Sequence, residues 1–159
     1  MSRLPGDAKE GEYRSHILFE EVSIPKQQED NAKDKVELPS VSVHANVGFA
    51  LPVILRKGNP DAHITMENPR LLKDENSNFA VVDLIREGKR STLGDVMVYR
   101  DDKLVGSITS VGVYMTHPRR IAKAKLTADD LKADDKLTIK YIPTDGSSLP
   151  TSETTLIYK

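Results

Sequence analysis

The residues that could do chemistry in this chain are few and scattered. Its four histidines lie far apart, and none stands at metal-ligand spacing from another histidine or a carboxylate. They are His16, His44, His63 and His117. The chain has no cysteine, which removes disulfides, thiolate metal sites and cysteine nucleophiles together. We therefore expect no metal and no cofactor, and interpret the histidines as ordinary strand residues.

Asp83 is a carboxylate set inside an apolar run, residues 79–85. A buried carboxylate shifts its pKa or finds a partner, and such shifts are typical of catalytic sites. No candidate base or nucleophile stands beside Asp83 in the sequence. Gly-rich phosphate loops, a Gly-x-Ser-x-Gly elbow and a paired-carboxylate signature are absent as well. We predict a structural Asp83 that faces outward, no catalytic residues and no enzymatic activity.

The charge balance argues against nucleic acid and membranes as partners. The 159 residues hold 23 Lys and Arg against 24 Asp and Glu, a net charge of -1. Residues 117–125 are locally basic, but no aromatic residues interleave with the cations for base stacking. No apolar run approaches the ~18 to 20 residues of a membrane-spanning helix, and the first residues contain no signal-type apolar stretch. We expect neither nucleic-acid binding nor membrane insertion.

The elements that must position any functional residue are predicted to be strands. Nine Pro and nine Gly punctuate the chain, and apolar residues alternate with polar ones between them. Residues 127–134 are the one helical candidate, with a cap-like start at Thr127. The predicted strands are residues 13–22, 41–56, 62–67, 79–86, 95–100, 104–115, 120–126, 136–142 and 154–158. With nothing helical to make parallel crossovers, this pattern indicates an all-β sandwich or barrel.

A turn cluster at residues 57–60 divides the chain. The segment that follows, 57–159, supplies seven strand runs, which suits one complete immunoglobulin-like sandwich. The segment before it, 1–56, holds two strands and a polar loop at 25–35 whose single apolar side chain is Ala32. An isolated hairpin is marginal in water, so residues 1–56 are predicted to be part of a domain.

The run at residues 41–56 is the most informative segment. Every odd position from 41 to 55 is apolar, and the even positions 42 to 48 are polar or small. At ~3.3 Å per residue a strand of this length would reach ~50 Å, against ~17 to 20 Å for a typical strand. Gly48 could bulge the strand, and Pro52 fits only at an edge, a bulge or a strand end. Two interpretations stay open: an ordinary last strand followed by an extended linker, or an apolar edge strand that pairs with another chain by β-augmentation.

These segments resemble the PapD-like periplasmic chaperones of chaperone-usher pilus assembly. The resemblance rests on Leu-Pro-Gly-Asp at 4–7 leading into the strand at 13–22, on the polar loop at 25–38, and on the alternating strand that ends at 50–56. In that family such a strand, loop, long strand and hinge end the first immunoglobulin-like domain, and a second domain follows. The resemblance thus implies a partial first domain at 1–56 and a complete second one at 57–159.

The resemblance also implies a function and a set of site residues. Such a chaperone donates its last first-domain strand to a pilus subunit that lacks one. Pilin-like subunits would be the clients, an outer-membrane usher would be a further partner, and the location would be the periplasm. The family anchors the client's terminal carboxylate with basic residues, for which Arg56 is the candidate here. The donor face would consist of Val41, Val43, Ala45, Val47 and Phe49.

Two strands alone cannot cover the apolar side chains of residues 1–56. A fragment of a longer protein, strand swapping in a homodimer and disorder of this half would each account for this, and we favour the fragment. The competing function is a structural or adhesive β-sandwich whose long strand pairs within its own oligomer.

Overall fold

The computed structural model describes residues 4–22, 46–127 and 131–159. Within these residues the chain is all-β and has no helix. The strands are β1 (Gly11–Glu20), β2 (Gly48–Lys57), β3 (Ala62–Asp74), β4 (Ser77–Gly88), β5 (Thr92–Arg100), β6 (Lys103–Val113), β7 (Arg119–Leu126), β8 (Lys136–Pro143) and β9 (Ser152–Ile157).

Strands β3 to β9 form one seven-stranded sheet in the order β3-β4-β7-β6-β5-β8-β9. If β3 is counted as the first strand, one half of this order contains the first, second, fifth and fourth strands, and the other half contains the third, sixth and seventh. This is the immunoglobulin constant-type arrangement. Strand β6 belongs to both halves: it pairs with β7 only at Gly106 and Ser107 and with β5 along most of its length. The predicted all-β, immunoglobulin-like sandwich is confirmed.

The chain separates into two compact units. One takes in the residues up to Glu12 together with Arg56–Lys159, and the other is Tyr13–Leu55. In the second unit, most of the described residues belong to the two-stranded sheet of β1 and β2. The predicted domains 1–56 and 57–159, and the assignment of 1–56 to a partial first domain, stay predictions.

The sandwich core follows directly from alternation. In β8, Leu137, Ile139 and Tyr141 are fully buried, because successive side chains of a strand point to opposite faces. Tyr141 keeps a polar atom inside this core, where its hydroxyl donates to the Val111 carbonyl at 3.1 Å and lies 3.3 Å from the Thr92 hydroxyl. These partners remove the cost of burying an unpaired hydroxyl.

Two sequence expectations need correction in the described residues. The strand predicted over 41–56 begins at Gly48; residues 46 and 47 are not strand, and 41–45 lie outside the described residues. The helix predicted over 127–134 is not present at 131–134, where Asp134 takes a left-handed φ of 71° and the Asp135 carboxylate accepts the Lys132 N–H at 2.9 Å. A left-handed residue cannot continue a right-handed helix, so the side-chain bond forms a turn instead.

Candidate functional site

The candidate site is the two-stranded part of the second unit. We call residues 15–22 and 46–55, the paired stretches of β1 and β2 with their adjoining ends, the ribbon. The rings of Phe19 and Phe49 stack with centroids 4.9 Å apart and planes 15° apart. Beyond the strand ends, the Glu21 N–H donates to the Val47 carbonyl at 3.1 Å. These contacts hold the two strands together and fix which side chains share a face.

One face of the ribbon is apolar and exposed. Because side chains alternate along a strand, the stacked Phe19 and Phe49 place the other odd-numbered residues on their own side. Val47 is 70% exposed, Phe49 57% and Leu51 50%. This apolar face consists of Ile17, Phe19, Val47, Phe49 and Leu51, all of them large hydrophobic residues with substantial exposure. Contiguous exposed apolar surface of this kind marks interaction sites more often than isolated exposed residues do.

Both edges of the ribbon carry backbone groups without a strand partner, because its sheet has two strands within the described residues. Pro52 sits inside β2 and lacks an N–H. In a two-stranded sheet such a residue is tolerated, since both strands are edge strands. Gly48–Leu55 carries no charged side chain, so the Lys residues that natural edge strands use against unwanted pairing are missing here.

The predicted donor residues divide into two groups. Val47 and Phe49 lie on the exposed apolar face. Val41, Val43 and Ala45 lie outside the described residues. Ile17, Phe19 and Leu51 share the face with Val47 and Phe49 but were not predicted as site residues; the alternation in both strands was the signal that could have included them.

Arg56, the predicted carboxylate anchor, lies in the first unit and already has acceptors there. Its Nε donates to Glu12 Oε2 at 3.1 Å, and its Nη2 donates to the Ser91 carbonyl at 3.2 Å. Nη2 also lies 3.8 Å from Asp145 Oδ2. The guanidinium remains partly exposed, while both carboxylates are buried. An incoming carboxylate would therefore have to share Arg56 with two resident acids.

Glu12 is the centre of this network. Its carboxylate accepts the Ser91 N–H at 2.8 Å, the Ser91 hydroxyl at 2.5 Å and the Arg56 Nε. Burial works to raise the pKa of Glu12, but the bonds from Ser91 and Arg56 outweigh it and hold the pKa below its usual value. The carboxylate is thus kept ionised in the folded state.

Asp145 is the second acid of the network. It accepts hydrogen bonds from Arg90 and from the Ser147 N–H, the latter at 3.2 Å. Burial opposes ionisation of this carboxylate too, but Ser147 and the positive charge of Arg90 lower its pKa. Sequence reasoning missed Glu12, Ser91, Arg90 and Asp145, because positions so far apart in the chain leave no local spacing signal.

Asp83 forms a separate ion-pair cluster on the outer face of β4. It is only 3% exposed, and it accepts from Arg119 at 2.6 Å, from Arg70 at 3.0 Å and from the Asn68 amide at 3.2 Å. The bonds from Arg119, then Arg70, then Asn68 lower its pKa to about 2. Asp83 thus has the hydrogen-bond partners that a satisfied carboxylate needs, while its purely structural role stays a prediction.

The described residues hold neither a metal-binding group of side chains nor a membrane-spanning helix. In residues 4–22, 46–127 and 131–159, no three His, Asp or Glu side chains lie together in a way that could hold a metal ion. None of the structure described here is a helix of the length and apolarity needed to cross a bilayer. The run at 117–125 alternates as expected, with Lys123 and Lys125 exposed and Ala122 and Ala124 buried.

Comparison of the chain with protein-family models, with curated proteins and with solved structures gave no match.

Proposed function

We propose that this protein binds other proteins non-covalently, by donating the edge of the ribbon to a client that lacks a strand. The observation that carries the proposal is the exposed apolar face of β1 and β2, centred on the stacked Phe19 and Phe49. In strand addition the backbone supplies affinity through main-chain hydrogen bonds, and alternate side chains supply specificity by entering pockets. The ribbon offers both an open edge and an apolar alternate row.

The energy available from covering this face is substantial. Fully burying a side chain such as Val, Leu or Phe contributes about 1.5 to 3 kcal/mol relative to leaving it exposed. Val47, Phe49 and Leu51 are each at least half exposed. A client groove that covers these three would therefore gain on the order of 3 kcal/mol, before the main-chain hydrogen bonds are counted.

The class of client follows from the sequence resemblance. The strand, loop, long strand and hinge resemble the pilus-assembly chaperones, so we propose a pilin-like subunit with an unfilled core groove as the client. Under this proposal the protein is a periplasmic chaperone, and an outer-membrane usher is a further partner. Arg56 is left as a secondary contact, because Glu12 and Asp145 already neutralise its charge.

The test mixes the full chain with a pilin subunit that lacks its final strand, and measures the complex by size-exclusion chromatography with light scattering. We expect a one-to-one complex that is lost in Val47→Asp, because a carboxylate at this position would be buried unpaired in the client groove. Leu104→Asp is the control: Leu104 is also an exposed apolar residue, but it lies on β6 of the sandwich.

Two results would count against the proposal. A complex that survives Val47→Asp would remove the ribbon from the contact. A wild-type chain that ignores the pilin but forms a homodimer sensitive to Val47→Asp would favour the competing function, a structural or adhesive sandwich that uses the strand for its own oligomer.

A further inference from the structure

A groove lies in the sandwich, between its two edge strands. Strand β3 pairs only with β4, and β9 only with β8, among the residues that the structure describes. Their Cα atoms approach within 8 Å, yet the two strands form no ladder with each other. At one end the Ser152 hydroxyl donates to the Ile64 carbonyl at 2.5 Å and closes the seam.

The gap between β3 and β9 is wider beyond this hydrogen bond, because β3 is bent. The pairing of β3 with β4 shifts register between Glu67 and Arg70, Asn68 takes a left-handed φ of 49°, and Pro69 has no N–H to offer. The bend lets Asn68 and Arg70 reach Asp83. Past it, β3 and β9 border a groove of about 710 Å³.

The groove has an apolar floor and a cationic rim. Leu71 and Leu156 pack against the hydrophobic core from the floor, and Ile157 is 43% exposed beside them. Of the eight lining residues three are cations and none is an acid. Those cations are Arg70, Lys73 and Lys159. In a chain with a net charge of -1, this is a local surplus of positive charge.

The geometry points to this groove as a docking site for an extended peptide that alternates apolar and acidic side chains. Such a peptide would add a strand to the open edge of β9, as in β-augmentation. Its apolar side chains would rest on Leu71, Leu156 and Ile157, while its carboxylates would face Lys73 and Lys159. Arg70 contributes less, because Asp83 already holds its guanidinium. The site is independent of the ribbon and of the client proposed above.

The probe is a short fluorescein-labelled peptide of alternating glutamate and valine, compared by fluorescence anisotropy with a lysine-valine peptide of the same length. We expect the glutamate peptide to bind the full chain about tenfold more tightly, since the rim offers two or three exposed charge pairs and each such pair contributes modestly to affinity. Hydrogen exchange should slow at Thr155–Ile157 when this peptide is bound, because β9 would gain main-chain partners.

Charge reversal locates the site. In the double variant K73E/K159E the preference should invert toward the lysine peptide. The control K89E/K103E, two exposed positions away from the groove, should keep the wild-type preference. Ile157→Gln should weaken both peptides alike, and Val47→Asp in the ribbon should leave peptide binding unchanged.

Three outcomes would overturn the inference. One is equal binding of the two peptides, or none. Another is a preference that K73E/K159E does not alter. The third is self-association of the wild-type chain that K73E/K159E abolishes, which would assign the groove to a second copy of this protein.

Discussion

The ribbon and the sandwich contain the same sequence pattern but bury it differently. In β8 the apolar alternation of Leu137, Ile139 and Tyr141 ends in complete burial. In β2 the equivalent alternation of Phe49 and Leu51 leaves both side chains at least half exposed. Alternation specifies a strand and the face that its apolar residues share, whereas burial needs a second layer to cover that face. In the described residues, only the sandwich has enough strands to provide one.

The two regions also treat their polar groups differently. The sandwich pairs nearly all of its buried polar side chains: Tyr141 with Val111, Glu12 with Ser91, Asp83 with three donors. Among the described residues two buried atoms lack a partner, Arg86 Nε and Ser147 Oγ. The ribbon instead leaves the outer backbone edges of β1 and β2 without a strand partner in the part of the chain that the structure describes. Buried, paired polar groups are therefore concentrated in the sandwich, and exposed apolar surface in the ribbon.

The largest expected effect comes from truncating the sandwich core. Leu84 is fully buried on β4, so Leu84→Ala removes its apolar contacts and leaves a cavity. We expect a loss of about 2 to 5 kcal/mol in the free energy of unfolding, measured by urea denaturation of the full chain. A loss below about 1 kcal/mol would mean that this core is not closely packed and would weaken the contrast with the ribbon.

A smaller loss is expected from the buried acid network. Glu12→Gln keeps the size of the side chain but removes the charge that faces Arg56 and turns one acceptor of the Ser91 bonds into a donor. We expect a loss of about 1 to 3 kcal/mol in unfolding free energy. Glu153→Gln is the control, because Glu153 pairs with Lys140 at an exposed site, where an ion pair contributes about 0 to 1 kcal/mol. Equal effects of the two changes would show that the network at Glu12 is not stabilising.

The Asp83 cluster should make the sandwich sensitive to acid. The pKa of Asp83 is about 2 in the folded chain against an ordinary value of 3.8, so its ionised form favours the folded state. The contribution is fully present above pH of about 4 and is lost as the pH falls from about 4 to about 2. Asp83→Asn should flatten this part of the curve of unfolding free energy against pH. Asp102→Asn, in the exposed turn after β5, should leave the curve unchanged; equal slopes for wild type and Asp83→Asn would contradict the assignment.

The strands could be predicted because their signal is local. Alternation and turn residues located all of β1 to β9 to within a few residues at most ends, the exceptions being the end of β3 and the start of β2. Strand β3 continues through the bulge at Asn68 and Pro69, where the alternation is interrupted. In the described residues β2 begins only at Gly48, although the apolar alternation of the sequence starts well before this position. Alternation with a period of two shows which side chains share a face of the strand. It shows neither where a bulge lies nor where the partner strand ends.

The polar networks could not be predicted in the same way. Glu12 and Ser91 are separated by 79 positions, and Arg90 and Asp145 by 55, so only the folded sheet brings them together. For the same reason the sequence presented Arg56 as an available cation, whereas the fold gives it two carboxylates and a carbonyl. Exposure of the ribbon face was foreseeable, because the described strands of that segment number two and cannot form a second layer.

The smallest effect on stability should come from the ribbon, and this result separates a binding surface from a core. Phe49 is stacked on Phe19 but more than half exposed, so Phe49→Ser removes little buried area from the folded chain. We expect the free energy of unfolding of the sandwich to change by about 0.5 kcal/mol or less, as for other surface substitutions. Val98→Ser, at a fully buried position of β5, is the matched comparison and should cost several times more. If Phe49→Ser destabilised the chain as much as Val98→Ser, the apolar face would already be covered in solution, and it would not be available to enter a client groove.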